Sequence, residues 1–380
     1  MDIKNILREM ISRGASDLHL KVASPPILRI NGSLSMLDMA APSVQDMVAV
    51  AQQILTPSQR EHFEKTREID FAFGVPGIAR FRANFYVQRG SIAMVFRHVP
   101  VEIKTLDELG LPPVLRDLAL KPRGMILVTG TVGSGKSTTL ASMVDIINTE
   151  QHSHVITVED PIEFLHKDKN SIISQREVGA DTICYGDALR YILRQDPDAI
   201  LIGEIRDAES MKVALTAADT GHLVLSTMHT IDATQTISRI ISFFPSHQHQ
   251  EIRYLLASTI QAVISQRLVA DAGNQHRYAA VEVMIATSTI RDYIREPEKT
   301  SLIRQAIQEG FVQYQMQTFD QSLMQLYKQG RITIETAMHA SSNPHEFSLR
   351  VKGIQASSDT TWERFEGEES ISTGIPDNLQ

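Results

Sequence analysis

The sequence predicts an α/β protein in two parts, a compact N-terminal α+β unit and a larger domain on a mostly parallel sheet with helices on both faces. Three observations predict it. From Arg123-Gly124 onward, short apolar runs alternate with helical stretches, the pattern of strand–helix–strand crossovers. Upstream, one helical stretch is followed by alternating strands, with turn signals at Pro25-Pro26 and Asn31-Gly32. The chain of 380 residues is 42% hydrophobic, enough for about two domains with a core in each.

Within residues 1–98, Ile3 to Ser12 has helical apolar spacing, and Gly14 stops it. Leu18, Leu20 and Val22 alternate with polar neighbours, as a half-buried strand does, and a second strand is expected at Ile27 to Ile30. Helices follow around Val44 to Leu55 and Pro57 to Lys65, and strands resume at Ile69, Phe71 and Phe73. Phe81, Ala83, Phe85 and Val87 then alternate with Arg80, Arg82, Asn84 and Tyr86, and after Arg89-Gly90 a strand runs from Ile92 to Arg97. A two-residue turn, or a four-residue loop around it, pairs Val87 with Ile92, Phe85 with Met94 and Ala83 with Phe96. The same register sets Arg82 opposite Arg97 on the other face. Facing like charges are unfavourable unless an anion sits between them or both splay into water at a solvated edge.

Residues 99–106 read as a linker and residues 107–354 as the second domain. A helical entry passes through Pro112-Pro113. Strands are expected at Met125 to Val128, Val155 to Val158, Ala199 to Ile202 and Leu223 to Leu225, and helices after Lys136, at Ala188 to Leu193 and at Ala208 to Ala218. The C-terminal part is expected to be helical, including His249 to Ile264 and Phe319 to Gln329, with a strand pair near Gln266 to Ala270 and Tyr278 to Met284. Residues 355–380 are rich in Ser, Thr, Gly and Glu and are expected to fray, with Trp362 and Phe365 as a docking motif or simple decoration.

The formal net charge of -8 argues against a chain whose main task is coating nucleic acid or anionic lipid. The single cysteine, Cys184, excludes an internal disulfide framework and a multi-cysteine zinc site. No run approaches the roughly 18 apolar residues of a membrane span, and the start lacks a signal-peptide stretch, so a cytoplasmic protein is expected.

Gly130-Thr131-Val132-Gly133-Ser134-Gly135-Lys136-Ser137 fits G-x-x-x-x-G-K-[ST], a pattern that chance gives about once in a hundred chains of this length. It follows an apolar strand and precedes the helix-forming run from Thr138 to Ile147, which is the context the motif needs. Its glycines let the backbone curl so that N–H groups converge on phosphate oxygens at a helix N-terminus. Lys136 reaches the β- and γ-phosphates and Ser137 holds Mg²⁺ in this reading.

In open α/β sheets, ligands bind beyond the carboxyl ends of the strands. Polar groups do follow the expected strands here: Glu159-Asp160-Pro161-Ile162-Glu163, then Gly203-Glu204, then Ser226-Thr227-Met228-His229. Any one of them suits a solvated loop, but their joint placement favours one site. Phosphoryl transfer to water needs a metal clamp, a group orienting the water, and positive charge on the transition state. Glu204 suits the Mg²⁺-side carboxylate, acting through water, and Glu163 suits activation of the nucleophilic water. His229 suits contact with the γ-phosphate, with surface or core filler as the plain alternative. The triphosphate offers Arg82 and Arg97 their anion, from the same or a neighbouring chain. Arg190, Arg194 and Arg206 are further candidate cationic contacts, though paired surface charges would look similar.

These segments, together with Ala15-Ser16-Asp17-Leu18-His19-Leu20, resemble the secretion ATPase superfamily, and within it the motors that retract type IV pili. Thr157 to Glu163 is similar to the superfamily's Asp box, Ile202 to Asp207 to its Walker B segment, and Thr220 to Thr230 to its His box. The resemblance implies a RecA-like P-loop NTPase domain with an N-terminal PAS-like domain, assembled as a homohexamer. It implies ATP and Mg²⁺ as ligands, and N-terminal-domain arginines resembling Arg82 and Arg97 at the nucleotide. The implied partner is an inner-membrane platform protein at the pilus base, reached from the cytoplasmic side. One cysteine and a short N-terminal half argue against the extension motors. The stretch Thr289-Ile290-Arg291-Asp292-Tyr293-Ile294-Arg295-Glu296 matches a retraction-motor motif in charge spacing but departs at Thr289, Asp292 and Tyr293. An accessory role beside a paralogous retraction ATPase therefore stays open. A RecA-like core also serves nucleic-acid translocases, a reading the net charge disfavours, and a nucleotide-binding scaffold that does not hydrolyse is the remaining alternative.

Overall fold

The computed structural model describes residues 1–30, 32–100, 102–273 and 276–352. Asn31 of the expected Asn31-Gly32 turn, and the tail with Trp362 and Phe365, lie outside them. The chain divides into two compact units. One comprises Met1–Glu108, Leu115–Met125 and Ser137–Thr227; the other comprises Leu109–Val114, Ile126–Lys136 and the described residues from Met228.

The first unit opens with an antiparallel sheet of β1 (Asp17–Lys21), β2 (Ser24–Ile30), β3 (Ser33–Met36), β4 (Glu68–Val75), β5 (Ala79–Gln88) and β6 (Ser91–Val99), in the order β3-β2-β1-β6-β5-β4. One face carries Leu18, Leu20, Leu28, Phe81, Phe85, Met94 and Phe96, which are buried with Ile6, Leu7 and Met10 of the helix Ile3–Ser12 and Met47 of the helix Val44–Ile54. Phe85 meets Phe71 and Phe96 edge-on at 5.2 and 5.7 Å, the arrangement their ring quadrupoles favour. Ser43 with Asp46 and Thr56 with Gln59 form reciprocal capping boxes that fix the starts of the helices Val44–Ile54 and Pro57–Thr66.

The β5–β6 hairpin has the expected register, with Val87 opposite Ile92, Phe85 opposite Met94, Ala83 opposite Phe96 and Arg82 opposite Arg97. Its turn is Arg89-Gly90, both at positive φ (48° and 77°), the conformation that matches a two-residue loop to the strand twist. β2 starts earlier than expected, so Pro25 and Pro26 lie inside it, and β3 is an edge strand exposed at all four positions.

The second sheet consists of β7 (Gly124–Gly130), β8 (His154–Glu159), β9 (Ile172–Glu177), β10 (Ala199–Ile202), β11 (Leu223–Met228), β12 (Ile260–Ala270) and β13 (Arg277–Ile285), in the order β13-β12-β7-β11-β10-β8-β9. In the first unit β11, β10, β8 and β9 are parallel neighbours, with Ile202 aligned to both Val158 and Ser226. Helices Lys136–Glu150, Tyr185–Ile192 and Ala208–Asp219 make the crossovers in sequence. β9 was not expected from the sequence. Its residues are mostly half-exposed, and polar Ser174, Gln175 and Arg176 hide the strand pattern.

In the second unit the helix His249–Thr259 passes directly into β12 at Ile260, so the expected helix to Ile264 is five residues too long and the expected strand six too short at its start. Ile260, Ala262, Val263 and Ile264 are all buried, and a continuous apolar run does not distinguish helix from strand by period. β-branched Ile260, Val263 and Ile264 favour the extended form. β12 and β13 pair antiparallel from Ala262–Ile285 to Ala270–Arg277. Arg267 of β12 lies over the Phe319 ring, 3.9 Å from its centroid, and donates to the Ala340 carbonyl at 2.7 Å. Among the described residues, no helix is long and apolar enough to cross a membrane.

Glu282 of β13 is buried and accepts the Ala233 N–H at 2.9 Å, the first residue of the helix Ala233–Ser242. Burial pushes its carboxyl up to about 7; the charge of Asp232 adds to this, while the Ala233 N–H, Arg267 and Arg304 oppose it. A carboxyl raised in the folded state stabilises the fold below its ordinary value near 4.5 and loses that contribution as pH rises through about 7. The stability of the wild-type chain against thermal unfolding is therefore expected to fall from pH 4.5 to 7 by a component that Glu282→Gln lacks, on the order of 2–3 kcal/mol for a shift of this size. Parallel pH profiles for the two proteins would contradict the assignment.

Candidate functional site

The phosphate-loop motif leaves β7, a strand buried at every position, and turns at Gly130, Gly133 and Gly135, which have φ of 144°, 77° and 94°. Gly130 is the tight point. A Cβ there would collide with the Gln266 carbonyl oxygen of β12 and with Ser134 Oγ. Beneath it, Thr129 Oγ1 donates to Ser265 Oγ at 2.9 Å, so the buried hydroxyls at the strand end satisfy each other. Thr131, Val132 and Gly133 are exposed, while Ser134 and Lys136 are buried. The Lys136 ammonium sits 3.0 Å from both the Gly130 and Thr131 carbonyl oxygens, folded over the inside of the loop. Ser134 Oγ is buried and has no hydrogen-bond partner among the described residues. Lys136 begins a 15-residue helix, with Ser137 and Thr138 half-buried in its first turn. A helix N-terminus, an ammonium and the unsatisfied Ser134 hydroxyl fit a polyphosphate and, at Ser137, the oxygen-seeking Mg²⁺ that accompanies one.

The acidic groups stand after β8 and β10. Glu159 Oε1 accepts from Thr157 Oγ1 at 2.7 Å and Gln175 Nε2 at 3.3 Å, and its Oε2 accepts the Glu163 N–H at 3.4 Å. Burial raises the Glu159 carboxyl above the ordinary range, against those donors. The side chain of Glu163 is exposed. Glu204 pairs with Arg206 at 2.7 Å, and the turn between them is fixed by Thr227 Oγ1 donating to Gly203 O at 2.7 Å and the Ile205 N–H to Thr227 O at 3.1 Å. The Tyr185 phenol is pushed above its usual range first by burial and then by the charges of Asp160, Glu159 and Glu204, with Arg206 opposing. His229 directly follows β11 and is exposed.

The two arginines of the first sheet find carboxylates within that sheet. Arg97 Nε donates to Asp17 Oδ1 at 2.8 Å, and Asp17 is its direct partner across β1 and β6. Burial works to raise Asp17, but the Ser16 hydroxyl and Arg97 outweigh it and hold the carboxyl below its ordinary value. Arg82 pairs with Asp70, diagonal to it on β4, with Nε at 3.2 Å from both oxygens. The charges of Asp160 and Glu163 also favour its cation, which places Arg82 within the field of the loop after β8. Asp17 and Asp70, which sequence reasoning missed, balance this facing pair within the sheet. Asp17 is visible only once the non-local β1–β6 pairing is known. Arg190 pairs with Glu209 at 3.2 Å, the plain surface alternative, and Arg194 falls beyond the end of the helix Tyr185–Ile192.

Residues 1–375 match the family described as Type II/IV secretion system protein. The chain belongs to this family. The type IV pilus retraction ATPase PilT of Pseudomonas aeruginosa is 43% identical over 347 residues, 91% of this chain and 100% of that protein. The type IV pilus ATPase PilU of the same organism is 38% identical over 93% of this chain and 92% of its own. A crystal structure of the pilus retraction motor PilT with bound ADP superposes with a TM-score of 0.85 at 45% identity, covering 91% of this chain and 98% of that one. The Legionella pneumophila ATPase DotB does so at 0.77 and 26% identity, over 93% and 96%. This secretion-family chain thus has the mixed α/β P-loop NTPase fold expected from its motifs.

Gly130→Ala tests the phosphate loop of this family member. The added methyl meets backbone and a buried side chain at a φ that disfavours any Cβ, so a loss of roughly 2–3 kcal/mol in stability and a weakened affinity for nucleotide are expected. Melting curves and titration with a fluorescent ATP analogue would check it; wild-type values in both would contradict the geometry.

Proposed function

We propose that this chain is an ATP-hydrolysing motor that powers retraction of type IV pili. The observation that carries the reading is the phosphate loop, with Lys136 buried over its interior, in a chain whose strand ends after β8 and β10 bear Glu163 and Glu204. The likeness to a retraction motor with bound ADP supports the nucleotide, and the 43% identity to PilT supports the work done with it. In this reading the residues Gly130, Thr131, Val132, Gly133, Ser134, Gly135, Lys136, Ser137 and Thr138 cradle the phosphates. Ser137 and, through water, Glu204 would hold Mg²⁺, which would neutralise charge on the phosphates. Glu163 orients the attacking water, His229 contacts the γ-phosphate, and Arg82 and Arg97 approach the nucleotide from an N-terminal domain of residues 1–98, joined by a linker at 99–106 to an ATPase domain at 107–354.

The assembly proposed is a homohexamer at the cytoplasmic face of the inner membrane, acting on a platform protein at the pilus base. A second reading, an accessory motor beside a paralogue, is favoured by one observation. In the helix Ser288–Arg295, Asp292 pairs with Arg295 at 2.9 Å, where the retraction-motor motif has no acid. Twitching of a deletion strain, with and without any paralogue, separates the two.

For the chemistry, Lys136→Ala is expected to lower steady-state ATP turnover by about 100-fold or more, the scale on which one electrostatic stabiliser counts. Glu163→Gln and Glu204→Gln should retain bound nucleotide with similar losses of turnover. Wild-type hydrolysis by purified Lys136→Ala protein would end the proposal.

A further inference from the structure

We infer that Arg80 and Glu177 are a positioning pair for the loop that carries Glu163, through which strand β5 of the N-terminal sheet sets where that carboxylate stands. This inference rests on the ATPase reading and deepens it. Glu177 closes β9 with a buried carboxylate, and its Oε2 accepts two bonds, from Arg80 Nη2 at 3.0 Å and from the backbone N–H of Ile162 at 3.1 Å. Ile162 immediately precedes Glu163, whose own N–H is taken by Glu159. Glu159 and Glu177 are register partners at the ends of the adjacent parallel strands β8 and β9. Two successive backbone donors of the loop are thus gripped by two neighbouring carboxylates, and the aim of Glu163 follows from both.

The two carboxylates differ in what balances them. Glu159 is met by neutral donors, Thr157 and Gln175. Glu177 is met by the Arg80 guanidinium, and its backbone is fixed by its own N–H on Asp181 Oδ2 at 2.9 Å. Arg80 stands two residues before Arg82, so both project from one face of β5. A largely buried ion pair adds little net stability compared with apolar packing. Arg80 Nε is itself buried without a hydrogen-bond partner, which a contact made for stability would not leave. What the pair does specify is geometry, and small misplacements of a catalytic group are costly to turnover.

The test uses the purified full-length chain and compares Arg80→Met, Arg80→Lys, Glu177→Gln and the double variant Arg80→Met/Glu177→Gln. Steady-state kcat and KM for ATP are measured, with the affinity for a non-cleavable ATP mimic and thermal melting. The expected result is a fall in kcat of about 10-fold or more in Arg80→Met and Glu177→Gln, with KM and mimic affinity within about 2-fold. Arg80→Lys should recover part of kcat, and the double variant should be no worse than the worse single one, because the residues act as one unit. Should Arg80→Met not fold, Glu177→Gln and Arg80→Lys carry the same comparison. An unchanged kcat in a folded variant overturns the inference while the ATPase reading stands, and so does a fall in kcat matched by lost mimic affinity. If the wild-type chain itself does not turn over ATP, the ATPase reading falls and the inference with it.

Discussion

Burial along the strands of the second sheet decides where its chemistry can be. β7, β10 and β11 are buried at every position, so a charged side chain along them would be stranded away from water. The polar groups that do occur inside are short hydroxyls with partners at hand. Thr129 bonds to Ser265, Ser226 to the Ile202 carbonyl, and Thr227 to the Gly203 carbonyl. None of these three strands carries an ionisable residue, and Glu204 and His229 come just past the ends of β10 and β11. Glu159, the last residue of β8, is raised by burial while keeping three donors around it. The same burial lets the backbone at Gly130 press against the Gln266 carbonyl with no room for a side chain.

The N-terminal sheet meets the opposite problem, an excess of charge on one face. Arg29, Asp17, Arg97 and Arg82 form a row across β2, β1, β6 and β5, each directly opposite the next. Charges alternate along it except at its Arg97–Arg82 step, and Asp70 beside Arg82 corrects that step from the diagonal on β4. The apolar face beneath fixes the register of β5 and β6, since sliding either by one residue would turn Phe81, Phe85 or Phe96 into water. The charged row is therefore a by-product of core packing that the sheet must then balance.

How much was legible follows from how local each feature is. The β5–β6 register could be read to the residue because a two-residue turn leaves only one way to align three apolar pairs. The phosphate loop is eight consecutive residues, and the strand-end acids follow from it by topology. Asp17, Asp70 and Glu177 were out of reach, since each meets its arginine from another strand at a separation no local pattern encodes. β9 was hidden by its polar edge character, and the helix-to-strand junction at Thr259-Ile260 by an apolar run with no period. Periodicity reports one buried face. It is silent where both faces are buried or where neither is.

The two facing arginines look equivalent in the hairpin and are not equivalent in energy. Arg82 and Asp70 are each about two-fifths exposed, at 42% and 43%, and an ion pair so open to water holds by about 0–1 kcal/mol at most. Water replaces either partner readily if the pair separates. Arg97 is itself 67% exposed, but its partner Asp17 is only 6% exposed, and drawing the guanidinium away would strip a buried carboxylate of its cation. The Ser16 hydroxyl and Arg29, at 4.0 Å, would remain, yet Ser16 brings no cation and Arg29 lies beyond hydrogen-bond distance. Exchange of partners is thus cheap at Arg82 and costly at Arg97. Arg82 is also the one whose cation the charges of Asp160 and Glu163 favour, so of the two its present pairing yields more readily to charge beside that loop.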